Sequence, residues 1–279
     1  MQIEILKIGS DAELFLANAQ GEPVPVCGLV GGTKEEPLPV LGGNGYAVQE
    51  DNVMLEFNIP AASNADEFKD SMCLMLSYLT IEMRKKALDI QPVSYKMFRA
   101  SDLESAQART FGCEPDFDVW GRKPNKPPSP EQLADSAGRM PRCAGFHIHV
   151  SYNDGPEGPS LETSEYLVKA LDLWLGLPSL FIDTGTNRRK MYGRAGCFRL
   201  KPYGVEYRVL GSGLLYPAVF PWIYKSVYSA AAWLNAQTPE HTDMNLHGVA
   251  EYIVQAINAG DLRRAESIMH SFGVPKPVI

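Results

Sequence analysis

The sequence predicts an α+β chain in which strands carry the chemistry and helices close the molecule. Three observations lead there. Short alternating segments recur through the first 212 residues, helical periodicity takes over from Pro217 to Phe272, and polar residues fall repeatedly at i, i+2 on the predicted strands. The expected organisation is one catalytic unit over 1–279. It has a sheet-bearing core at 1–212, which holds the site, and a helical part at 213–279.

Taken in order, residues 3–8 and 11–17 alternate as strands. Gly21 to Gly45 is rich in Gly and Pro and reads as loop. Segments 46–50 and 53–59 form a hairpin turning at Asp51-Asn52. Ser63 is the expected N-cap of a helix running to about Leu88, whose apolar stripe (Phe68, Met72, Met75, Leu76, Leu79, Met83) reads as core. Ser101 and Glu104 have capping-box spacing for a short helix. Residues 112–142 read as a long surface loop, either a lid or a plain connection, because the run GRKPNKPPSP cannot hold a helix. Strand 144–152 follows, then a helix from Leu161 interrupted near Pro178, a basic loop, and strands at 197–201 and 204–210. Asp261, after Gly260, caps a helix in the C-terminal third.

The formal net charge of −7 argues against coating nucleic acid, which favours broad positive fields. No apolar run approaches the roughly 20 residues of a membrane span, and the N-terminus does not read as a signal peptide. The five cysteines (Cys27, Cys73, Cys113, Cys143, Cys197) are widely spaced and form no CxxC, so a reduced cytoplasmic setting is expected.

Side chains at i and i+2 on a strand share a face. Asp11 with Glu13, Glu56 with Asn58, His147 with His149, and Glu206 with Arg208 are four such pairs. Any one of them could be a wetted strand face, and the two histidines a hydrogen-bonded pair. If the strands share a sheet, the carboxylates crowd one another, and divalent cations relieve the repulsion. A carboxylate-dominated set suits Mg2+ or Mn2+ better than zinc. The segment 188–208 adds seven cations (Arg188, Arg189, Lys190, Arg194, Arg199, Lys201, Arg208) and one acid, Glu206. Guanidinium forks match phosphate or carboxylate, although a solvated basic loop would have the same composition. Metal-binding acids beside phosphate-binding cations are the parts of nucleotide phosphoryl transfer, yet no GxxxxGK[ST] and no strand–GxGxxG–helix occurs. Two other readings stand beside it: a metal-dependent hydrolase using His147 and His149, and a nucleotide- or metal-binding protein without catalysis.

The stretches GSDAELFL, VQEDNVMLEFNIP, AGFHIHVSY and RRKMYGRAGCFRLKPYGVEYRVLGS resemble, in order, the phage-type carboxylate–amine ligases of the glutamine synthetase and glutamate–cysteine ligase superfamily. The resemblance implies a curved, mainly antiparallel sheet with helices on its outer face, and ATP with Mg2+ (or Mn2+) on the concave side. It implies metal ligands at Asp11, Glu13, Glu50, Glu56, His147 and Glu206, with Asp51 as the alternative to Glu50, since the acid ahead of the LEF strand has no clean counterpart. It implies nucleotide contacts from His147 and Arg208; the histidine pair and the basic segment add His149, Arg188 and Lys201 as expected nucleotide contacts, and Arg208, Arg199 and Arg194 are the expected catalytic cations. The substrates would be a small-molecule or peptide carboxylate and an amine. Tyr203, Tyr192 and Asp51 are the candidate bases for the amine.

Overall fold

The computed structural model describes residues 2–109, 116–126, 128–129 and 131–279. Its elements are β1 (Glu4–Ala17), β2 (Pro23–Val24), β3 (Leu38–Pro39), β4 (Ala47–Asp51), β5 (Met54–Asn58), α1 (Ala65–Arg84), β6 (Asp89–Gln91), β7 (Tyr95–Phe98), α2 (Ala106–Arg109), β8 (Phe117–Asp118) and β9 (Lys123–Pro124). Then come β10 (Met140–Cys143), β11 (Phe146–Asn153), α3 (Leu161–Leu171), α4 (Leu177–Ser179), β12 (Cys197–Lys201), β13 (Gly204–Tyr207), α5 (Phe220–Asn235), α6 (Pro239–Ala259) and α7 (Leu262–Phe272).

The main sheet runs β3-β4-β5-β1-β11-β13-β12-β8-β9, with β2 and β6 also on β1, while β7 and β10 pair separately. Its neighbouring strands are antiparallel. The predicted α+β class with an antiparallel sheet is therefore the observed one. The two predicted N-terminal strands are one, β1, whose register against β11 shifts between Ile5 and Lys7. Such a bulge re-aims a strand without ending it.

One face of the sheet is apolar. Leu14, Leu55, Phe57, Phe146, Ile148, Val150, Val205, Tyr207 and Phe198 are fully buried there. α1 lays Phe68, Met72, Met75, Leu79 and Met83 into the same core, as its periodicity predicts. α5 joins it through Phe220, which meets Phe68 and Phe146 edge-on at 6.4 and 6.1 Å. Helices thus cover one side, and the opposite side is left for polar chemistry.

Several local expectations change. The N-cap of α1 is Asn64, whose Oδ1 accepts from Glu67 N at 2.9 Å, and the helix ends at Arg84. Ser63 instead donates its backbone N–H to Glu67 Oε2 at 2.8 Å. Ser101 and Glu104 form no capping box: a 3-10 turn spans Ala100–Leu103, and Ser105 Oγ accepts from Ala108 N at 3.0 Å to start α2. The described part of 112–142 is no plain loop. It holds the β8–β9 hairpin, a 3-10 turn at Glu131–Leu133, and β10. Residues 112–115, with Cys113, and residues 127 and 130 lie outside the described residues.

The hairpin turn at Asn52 (φ 60) and the Asp261 cap fall where expected, whereas the helix from Leu161 is not broken at Pro178: a π-helical turn at Asp172–Gly176 carries it into α4, which holds Pro178 in its first turn. Cys27, Cys73, Cys143 and Cys197 form no disulfide. Among the described residues, no helix is long and apolar enough to cross a membrane.

Candidate functional site

Strand register collects the polar pairs. Asp11 lies opposite both His147 and Asn58, and Glu13 lies opposite Glu56. Glu56 in turn faces Gln49, while Glu206 faces both His149 and Arg199. Directly opposed residues share a face, so all four pairs lie together on the side away from the helices.

Five of these side chains, joined by Asp51, form two trios, each with ligand atoms within 4.8 Å of one another: Asp11, His149 and Glu206, and Glu13, Asp51 and Glu56. Burial and the neighbouring Asp51 push Glu13 up to about 8, against the pull of Arg188 and Arg208. Glu56 is held well above its usual range by burial and by Asp11, Asp51 and Glu13. Burial raises Asp51 as well, although Arg208 and Lys34 oppose it. Three hard oxygen donors crowded together with too little positive charge fit a divalent cation.

The other trio is balanced differently. Burial would raise Asp11, but His149 and His147 prevail and hold it well below its usual range. Glu206 is likewise pulled down to about 2 against its burial, chiefly by Arg208. Lys201 Nζ stands 2.7 Å from Glu206 Oε2. Arg208 Nη1 and Glu206 Oε1 are hydrogen-bonded.

Arg208 and Arg199 are gripped by the same two acids. Arg208 Nε is 2.6 Å and Arg199 Nε 3.5 Å from Asp116 Oδ1, and Arg199 Nη1 is 3.6 Å from Glu206 Oε1. The Asp116 side chain is only 1% exposed. It is the principal residue that sequence reading missed. The signal was present, because Asp116 and Asp118 flank Phe117 at i, i+2 in the pattern used for the other pairs.

Two expected residues sit elsewhere, and a third has a bracing role beside the site. Glu50 points to the opposite side of β4, where it accepts the N–H groups of Gly28, Val30 and Gly31 at 2.8–2.9 Å. Its strand neighbour Asp51 occupies the position expected for it, because one residue along a strand reverses the side chain. Arg194 is exposed and lines a separate cavity of about 730 Å3 with Trp120, Lys123 and Glu251. Arg188 is buried within electrostatic reach of Glu13, with Nη2 near His147 at Gly145, and donates from Nη1 and Nη2 to the Arg208 carbonyl at 3.1–3.2 Å, so it also braces β13.

His147 and His149 differ despite their shared face. His147 Nδ1 is 3.0 Å from Asp11 Oδ1 and also 3.3 Å from Arg208 Nη1. Burial and Arg208 push its pKa down to about 4. A Cβ on Gly145 would collide with His147 Nε2 and Arg188 Nη2, so this position needs glycine. His149 places Nε2 3.0 Å from Asp11 Oδ1, and its Nδ1 is hydrogen-bonded to the Tyr203 hydroxyl. Beyond His149 the face opens into a cavity of about 440 Å3 lined by Lys7, Ser10, Asn58, Ser151 and Tyr203 among others.

The segment that builds half of this face also matches a protein-family model. The family model described as Phage phiEco32-like COOH.NH2 ligase-type 2 matches residues 129–260, just under half of the chain. The matched span contains β11, the basic segment and β13, and it bears out the resemblance read from the sequence. No curated protein matches the sequence.

Solved structures similar to this chain include a Plasmodium falciparum glutamine synthetase, with TM-score 0.42, 10% identity, and coverage of 83% of this chain and 52% of that one. GmaS without ligand follows at TM-score 0.41, with 13% identity and coverage of 98% and 70%. A GmaS/ADP complex gives TM-score 0.37 at the same identity and coverage. The chain thus spans about half the length of the P. falciparum enzyme.

Proposed function

We propose that this chain is an ATP-dependent carboxylate–amine ligase that forms an amide through an acyl phosphate. The observation that carries the reading is the pairing of two acid trios with the Arg199–Arg208 pair on one sheet face. Glu13, Asp51 and Glu56 would hold one Mg2+ or Mn2+, and Asp11, His149 and Glu206 a second. When bound, such ions neutralise phosphate charge during phosphoryl transfer.

The chain's own groups account for the rest. The cavity beyond His149 has room for part of a nucleotide, with Lys7 at its wall. Arg208, Arg199 and Lys201 supply positive charge to the transferring phosphoryl group, already oriented by Asp116 and Glu206. A substrate carboxylate oxygen attacks the γ-phosphorus and ADP departs. The amine nitrogen then attacks the acyl carbon, phosphate leaves, and the amine gives up a proton. Tyr203 is a poor acceptor for that proton, because burial and the charges of Glu206 and Asp11 raise its pKa far beyond the neutral range.

A hydrolase built on both histidines has less support. Only His149 joins a trio, and Arg208 faces the His147 nitrogen nearest the acids.

Purified protein with ATP and Mg2+, offered pools of carboxylates and amines, is expected to release ADP and phosphate only when both acceptors are present. Amide cleavage without ATP would overturn the reading, and ATP binding without turnover for any pair would favour a binding protein. Glu206→Gln is expected to abolish turnover with the fold retained by circular dichroism. Normal turnover in that variant would remove Glu206 from the site.

A further inference from the structure

We infer that Tyr203 is a positioning residue that keeps His149 Nε2 available to a metal ion by accepting a hydrogen bond from the His149 Nδ1–H. This rests on the reading that Asp11, His149 and Glu206 hold a divalent cation.

The turn between β12 and β13 is pressed onto β11. Tyr203 O accepts from Tyr152 N at 3.1 Å. Gly204 has φ +144, and a Cβ there would collide with Val150 O. The turn is thereby fixed close to His149, and the Tyr203 ring lies 6.0 Å from the imidazole, tilted by 38°. The hydroxyl meets Nδ1, while Nε2 faces Asp11 Oδ1 at 3.0 Å.

A neutral imidazole carries one proton on one of its two nitrogens. If the proton sits on Nε2, it lies between the imidazole and Asp11 Oδ1, 3.0 Å away, without closing a hydrogen bond, and the lone pair needed by a cation is used up. No ligand nitrogen then faces the acids. If the proton sits on Nδ1, it needs an acceptor on that side, and the Tyr203 oxygen is there. Nε2 then turns a lone pair toward Asp11 and Glu206. The Tyr203 side chain is partly open to the 440 Å3 cavity, with the residue 39% exposed, so its own hydrogen can bond to water or to a bound ligand. Partners of this kind fix the orientation and tautomer of metal-bound histidines, and losing one costs about 10- to 100-fold in affinity.

Isothermal titration with Mn2+ tests this in wild type, Tyr203→Phe and His149→Ala. Phenylalanine keeps the ring against His149 and removes only the oxygen. Wild type is expected to bind two ions. His149→Ala identifies the ion it helps to hold, and Tyr203→Phe should weaken that same ion about 10-fold or more. The ion at Glu13, Asp51 and Glu56 should be unaffected, as should the thermal midpoint of the metal-free protein. Unchanged binding of both ions in Tyr203→Phe would overturn the inference and leave the metal reading standing. Equal weakening of both ions, or a lowered metal-free midpoint, would also overturn it by exposing a general structural role. Failure of wild type to bind Mn2+ would overturn the metal reading and this inference with it.

Discussion

Glu50 and Asp51 are adjacent, both acidic, and opposite in role. Asp51 stands with Glu13 and Glu56, whereas Glu50 secures the glycine-rich loop through three backbone N–H groups. Those bonds hold Glu50 below the ordinary carboxylate range despite its partial burial. Asp51→Asn should therefore weaken Mn2+ binding at the three-carboxylate position with little loss of stability. Glu50→Gln should leave that ion in place and lower stability by about 1 kcal/mol, because charged acceptors are exchanged for a neutral one. Titration calorimetry and urea unfolding of the two variants separate these outcomes, and the reverse pattern would return Glu50 to the metal. The sequence could not make this choice. Strand alternation shows that neighbours face opposite ways, but only the pairing of Gln49 with Glu56 shows which parity is inward.

Elements were legible where their signal was local. The i, i+2 pairs, the hairpin at Asn52 and the Met-rich face of α1 follow from residues close in the chain. The hairpin β8–β9 was not legible, because a two-residue strand has no periodicity to read. It is held by distant partners instead: Cys197 and Phe198 pair with it, and Asn125 Nδ2 donates to Met191 O at 3.1 Å. That is why Asp116 escaped notice although its spacing matched the other acids. Helix ends were legible to within a residue at best. Asp261 was assigned correctly, because Gly260 before it enters the left-handed region (φ 66) and marks the boundary. At α1, Ser63 and Asn64 are both good caps by type, and the structure selects Asn64. Asn64→Ala should cost about 1 kcal/mol in chemical unfolding, whereas Ser63→Ala should cost much less. Equal costs would mean that the cap is shared.

At the scale of the whole molecule, a net charge of −7 and a buried face of carboxylates make stability depend on pH and on cations together. Glu13 has its folded pKa raised from 4.5 to about 8, and Asp172, buried behind the sheet beneath Trp120 and Tyr207, is raised from 3.8 to about 7. A raised carboxyl binds more protons folded than unfolded, so its contribution is full below the unfolded pKa and is lost as pH rises through the folded one. His149, also raised, acts in the same sense. His147 acts oppositely, but only between its folded value of about 4 and its ordinary value of 6.5. Glu206 is lowered to about 2 and Asp11 is lowered too, so both matter only in acid. From pH 6.5 to 8 the raised groups Glu13, Glu56, Asp172 and His149 therefore all act in one direction, and His147 no longer opposes them. Metal-free protein should lose stability across it, with a slope of up to ~1.4 kcal/mol per pH unit for each whole proton. A divalent cation binds the ionised acids and displaces the proton from Glu13, so saturating Mg2+ or Mn2+ should flatten that decline. Thermal midpoints at pH 6.5 and 8, with and without the ion, measure both effects. A metal-free midpoint that rises over this range would mean that Glu13 is already ionised in the folded protein, and the crowding argument for a cation at Glu13, Asp51 and Glu56 would fall with it.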